Sequence, residues 1–198
     1  GMGKTSIALM LASQRLKQYP DSKIMILAPT KPLAEQIKSV FEKHMEKNIV
    51  LFTGFVKAEK RQILFKEADI IVSTPQGLEN DIISNRISLE DVSLLIFDEA
   101  HRAVKDYSYV FIAKQYHKKA HYEKILALTA SPGSENEKID EVMKNLYIER
   151  VELRTDEDPD VKPYIQDVDI KWVNVDLGDE FLQVRKFIED CYKEKIQE

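Results

Sequence analysis

The sequence predicts an α/β protein built on a mostly parallel sheet with helices on both faces. Three observations lead there. Short apolar runs alternate with longer stretches of helical periodicity along most of the 198 residues. The run Val92-Ser93-Leu94-Leu95-Ile96-Phe97 has the length and apolar character of a strand buried on both faces. Chemistry-bearing side chains follow the apolar runs, at the carboxyl ends of strands, where open α/β sheets bind ligands. In order, the pattern predicts helix 4–18, strand 23–28, helix 32–45, strand 49–52, helix 57–67, strand 69–73, helix 75–84, strand 92–98, helix 108–118, strand 124–129, helix 135–145 and strand 148–154. Residues 155–163 read as an acidic loop. The alternation of Val168 to Val175 suggests one more strand, and 179–197 an amphipathic helix.

Composition suits one domain with a tail: 43% of the chain is hydrophobic, enough to bury a core. No apolar run approaches the ~18 residues of a membrane span, and no signal segment opens the chain. The lone Cys191 excludes an intrachain disulfide framework and a cysteine-based zinc site, and suits a reducing cytoplasm. His44, His101, His117 and His121 form no metal pattern. The net charge of −5 is divided unevenly. Residues 1–125 carry 19 Lys and Arg against 15 Asp and Glu, whereas residues 126–198 carry 10 against 19. The first stretch is thus mildly basic, and local donors there can meet phosphates whatever the overall balance.

Gly1-Met2-Gly3-Lys4-Thr5 matches the final part of a phosphate-binding loop. In such a loop backbone N–H groups and a helix N-terminus surround phosphates, a lysine reaches the β/γ-phosphates, and a hydroxyl meets Mg²⁺. Alone, the pattern reads equally well as a solvated loop capping a helix. Asp98-Glu99-Ala100-His101 closes the apolar run from Val92. Adjacent carboxylates at the tip of a buried strand suit a metal–nucleotide complex, with Asp98 on the metal and Glu99 on the attacking water. An acidic turn capping the next helix is the alternative. Ile125 to Leu128 ends in Thr129-Ala130-Ser131-Pro132-Gly133, whose hydroxyls could relay the state of a γ-phosphate, or which could simply turn.

Taken in order, GxGKT, DEAH and TAS resemble motifs I, II and III of superfamily 2 helicases and translocases. Between them, Ala28 to Gln36 resembles motif Ia, Thr53-Gly54 the TG motif and Ser73-Thr74-Pro75-Gln76 motif Ib. Glu79-Asn80-Asp81, Ile87 to Leu94, Phe97 to Val104 and Leu128 to Ser134 narrow the resemblance to the archaeal Hef and Fanconi-anaemia M family, over nearly the whole chain. The resemblance implies a RecA-like P-loop domain, with Gly1, Gly3, Lys4 and Thr5 holding ATP, and Thr5 and Asp98 holding Mg²⁺. It makes Lys4, Asp98, Glu99 and His101 catalytic, and Thr129 and Ser131 coupling residues. Pro29, Thr30, Lys31, Thr53, Gly54, Thr74, Pro75 and Gln76 are then nucleic-acid contacts. Each of the strand-end threonines could instead cap its helix. The implied partner is branched or forked DNA, with RNA, as in Dicer-like helicases, the nearest competitor. A non-catalytic nucleic-acid-binding module is the reading from another class.

The same resemblance places a strand and the start of the loop before Gly1, and a second RecA-like domain with arginine fingers after Glu198. Residues 1–155 are then domain one without its P-loop strand, and 156–198 a linker, strand and helix leading to an inserted or second domain. A fragment of that kind should show negligible ATPase, and Gly1 could be a tag scar. Without the P-loop strand, Ile125–Leu128 would have an unpaired edge. The expected consequences are a shift of the final strands into the gap, a dimer through that edge, or a disordered loop.

Overall fold

The computed structural model describes residues 3–130, 136–155, 158, 159, 162, 171–175 and 178–196. They divide into two compact units, Gly1–Arg154 and Thr155–Glu198. In the first unit the chain runs α1 (Lys4–Gln18), β1 (Lys23–Leu27), α2 (Lys31–His44), β2 (Ile49–Phe52), α3 (Ala58–Glu67), β3 (Ile70–Ser73), α4 (Pro75–Ile83), β4 (Val92–Asp98), α5 (Ser108–Lys119), β5 (Ile125–Leu128) and α6 (Asn136–Asn145). The second unit contributes α7 (Asp179–Ile196), which leaves Phe181, Val184, Phe187 and Tyr192 exposed.

The sheet order is β2-β3-β1-β4-β5, and every strand pairing is parallel. Period-2 alternation sorts the strand side chains between two cores. Ile24 and Ile26 of β1, with Leu94 and Ile96 of β4, pack under α1 and α2 against Ala8, Ala12 and Phe41. Met25, Leu27, Leu95 and Phe97 point the other way, towards Leu78 of α4 and Tyr109, Ile112 and Tyr116 of α5. β1 and β4 read as continuous apolar runs because both of their faces are covered. The amino ends of these strands are pinned as well. Ser22 and Ser93 share a buried hydrogen bond of 2.6 Å, and Arg15 Nε donates to the Ser93 carbonyl at 2.8 Å.

One expected strand does not form. Residues 148–154, Ile-Glu-Arg-Val-Glu-Leu-Arg, carry no ladder, and Val151 and Leu153 are 56% and 64% exposed. Spaced apolar residues mark a face, whereas a strand also needs a neighbouring backbone to bond to, and none among the described residues pairs with this segment. Among the described residues β5 pairs only with β4, so the expected shift of the final strands onto its edge is not seen. Of the strand expected at 168–175, residues 171–175 have no regular structure and the rest lies outside the described residues.

Candidate functional site

The first turn of α1 and the tip of β4 meet at one end of the sheet. Gly3 caps α1 with φ +77°, a left-handed backbone that glycine adopts without strain, so the GKT segment turns directly into helix. Lys4 Nζ lies 3.6 Å from Glu99 Oε1. Lys4, Thr5, Asp98 and Glu99 line one cavity of about 290 Å³, whose apolar wall includes Leu33 and Ile37 of α2. Residues more than ninety positions apart are thus gathered, as the sequence predicted, by a helix that starts beside a strand end. Gly1 and Ser131 fall outside the described residues.

The carboxylate pair has a strained frame. Glu99 sits at φ +50°, ψ +50°, left-handed for a residue with a Cβ, and its carbonyl accepts from Arg102 N at 3.1 Å to close the turn Ala100–Arg102. Partial burial pushes the Asp98 carboxyl above its usual range, the Glu99 charge adds to this, and Lys4 opposes it. His101 Nδ1 lies 2.9 Å from Thr129 Oγ1 and 3.3 Å from Glu99 Oε2, so the end of β5 is wired to the acidic turn through one imidazole.

Tyr109 was not legible as a site residue. Its hydroxyl shares its proton between the Asp98 carbonyl at 2.8 Å and the Leu27 carbonyl at 3.2 Å, tying the tips of β4 and β1. Burial pushes the Tyr109 phenol pKa far above its usual value, which keeps it a donor. In the sequence an aromatic on an amphipathic helix signals only core.

The proposed nucleic-acid contacts form a row along the adjacent ends of β2, β3 and β1. The ladder runs one step beyond the strands: Thr74 N donates to Phe52 O and Ala28 N to Ser73 O, each at 3.0 Å. Thr30 and Thr74 occupy the N-cap positions of α2 and α4, but neither side chain bonds to its own helix, so the capping alternative is not realised there. Thr30, Lys31, Gly54 and Gln76 are exposed, and Thr74 is half-buried. Thr53 and Pro75 are buried, which limits what they can offer a ligand to backbone and shape.

A five-stranded parallel sheet of this order, with a GKT helix start facing two strand-end carboxylates, is a RecA-like helicase domain. The chain belongs to the DEAD/DEAH box helicase family, whose pattern matches residues 1–139. The solved helicase domain of Pyrococcus furiosus Hef shares 48% identity with a TM-score of 0.81, covering 94% of this chain and 40% of that one. A Methanocaldococcus jannaschii protein provisionally named an ATP-dependent RNA helicase is 43% identical over 100% of this chain and 25% of its own length. The ATP-dependent DNA helicase mph1 of Sclerotinia sclerotiorum is 34% identical over 94% of this chain and 15% of its own length. Fanconi anemia group M proteins of vertebrates also match. The chain spans a quarter or less of these curated relatives.

Proposed function

We propose that this chain is the first motor domain of an ATP-dependent helicase or translocase that tracks branched or forked DNA. The observation that carries the reading is the convergence of Lys4, Thr5, Asp98 and Glu99 on one cavity. Residues 1–155 form the motor domain, and 156–198 lead towards a further domain of the native chain. The likeness to Hef and to a DNA helicase favours a DNA track. The name of the Methanocaldococcus relative supports RNA as the second reading. The exposed Cys191 suits a reducing cytoplasm, and no helix among the described residues is long and apolar enough to cross a membrane.

The donor set fits ATP and Mg²⁺. No group of three or more His, Cys, Asp or Glu among the described residues could cage a metal. One carboxylate and one hydroxyl, Asp98 and Thr5, suit an ion that arrives on phosphate oxygens and keeps its waters. Held by Asp98 and Thr5, Mg²⁺ would supply neutralisation of charge developing on the phosphates. Lys4 leaves Glu99 to meet the β/γ-phosphates, and Gly3 and the start of α1 present backbone N–H groups to them. Glu99, released from Lys4, orients water and accepts its proton. His101 keeps the Glu99 carboxylate directed and passes its position to Thr129 at the end of β5. Charge on the transferred group also needs donors from a second RecA-like domain, so this piece alone turns over ATP negligibly.

The test is the ATPase rate of the native chain that contains these residues, with forked DNA, single-stranded DNA, double-stranded RNA or no polymer. DNA should stimulate the most, and Glu99→Gln should lower the stimulated rate at least about a hundredfold, as loss of a general base does. A Glu99→Gln rate equal to wild type removes the catalytic assignment. Stimulation by RNA alone transfers the track to RNA.

A further inference from the structure

The row of strand-end contacts contains one side chain that phosphate binding does not explain. Phe55 is 83% exposed, in the turn Thr53–Val56 that follows β2. An isolated exposed apolar side chain is ordinary. This one is held out by a built support. Val56 N donates to Thr53 O at 3.0 Å, closing the turn. The Val56 carbonyl accepts from Arg61 Nη1 of α3. Arg61 in turn makes a two-pronged pair with Asp81 of α4, Nε to Oδ2 at 2.5 Å and Nη2 to Oδ1 at 2.9 Å, and Asp81 is fully buried. The backbone that carries the exposed ring is thus tied through Arg61 to a buried ion pair.

The ring has one neighbour of consequence. Lys31 Nζ, at the start of α2, stands 4.2 Å from the Phe55 ring centroid and 3.6 Å from Glu35 Oε1. β3 lies between β1 and β2 in the sheet, so this contact joins the two segments that flank the end of β3 and the start of α4. A cation and an aromatic face therefore stand side by side in a row of backbone donors. Aromatic faces beside positive charge are how single strands are held without sequence preference, because every base has a π-face.

We infer that Phe55 stacks on an unpaired base of the tracked strand while Lys31 meets the adjoining phosphate. The inference rests on the nucleic-acid reading above and adds to it a base contact where that reading has only backbone contacts. It makes this edge of the domain prefer single strands, whose bases are accessible, over intact duplex.

The test uses the native chain and a labelled single-stranded DNA, paired with an oligonucleotide of equal length made of abasic sites, read by fluorescence anisotropy. Phe55→Ala should weaken binding to the base-bearing strand roughly five- to a hundredfold, the range for losing one stacked base, and leave abasic binding unchanged. Phe55→Trp should keep the preference for bases. Lys31→Ala should weaken both substrates alike. Because Phe55 is exposed, the variants should melt with wild type. Equal weakening of both substrates by Phe55→Ala, or no weakening of either, overturns the base contact while the track reading stands. If wild type binds neither substrate, the track reading itself fails and takes the inference with it.

Discussion

Glu99 holds a backbone conformation that costs roughly 1–3 kcal/mol for a residue with a side chain, and it sits beside a carboxyl that resists ionisation. Both are features that function retains against stability. Asp98→Asn removes the charge that burial and Glu99 disfavour, so it should raise the melting temperature of the nucleotide-free protein at pH 7. The sign follows from proton uptake. A carboxyl with a raised folded-state pKa binds its proton more tightly when folded, so wild type regains stability as pH falls through that value. The advantage of Asp98→Asn should shrink over the same range and vanish below the ordinary value of about 3.9. Melting curves from pH 7 to 3 read this, and a constant gap between the two proteins would refute it. Lys4, Asp98 and Glu99 were legible because adjacent motif residues carry unusual chemistry in a short stretch. Tyr109 was not, because its hydroxyl acts through two carbonyls that lie far apart in sequence and leave no pattern.

The strands were legible where both faces are buried. β1, β3 and β4 are nearly pure apolar runs, and their limits fall within a residue of the expected ones. Residues 148–154 show the opposite case, spaced apolar residues with no ladder partner among the described residues. The link between α3 and α4 was illegible, since nothing in the sequence pairs Arg61 with Asp81 twenty residues away. In the fold their side chains are 9% and 1% exposed, and Arg86 Nη1 adds a contact to Asp81 at 3.7 Å. Asp81→Ala strands a buried guanidinium and should cost about 3–5 kcal/mol, measurable by urea unfolding. Joint replacement by Met at 61 and Leu at 81 should restore most of that stability, because apolar pairs of similar volume replace buried ion pairs well. A single-variant loss below about 1 kcal/mol would mean that the pair is solvated in solution.

Strand order was not legible, since apolar periodicity says which segments are strands but not which neighbour each takes. That order decides how many phosphates the domain can meet at once. With three adjacent strand ends as contact points, single-strand affinity should fall with a log–log salt slope of about −2, roughly a hundredfold between 0.05 and 0.5 M salt. A slope near zero, measured by salt titration of the bound complex, would dismiss the row as a phosphate track. The same order has a consequence during synthesis. β1 lies between β3 and β4, pairing Ile24 with both Ile70 and Leu94. Its apolar core from Ile24 to Leu27 therefore leaves the ribosome before either neighbour exists. At 5–20 residues per second it has no neighbour for roughly 2–9 s until Ser73 is made, and only one until Asp98 is made. Slow codons between residues 28 and 92 would lengthen that exposure, which makes the codon usage of this stretch, more than any side chain, the first variable to adjust when the protein is produced in a foreign host.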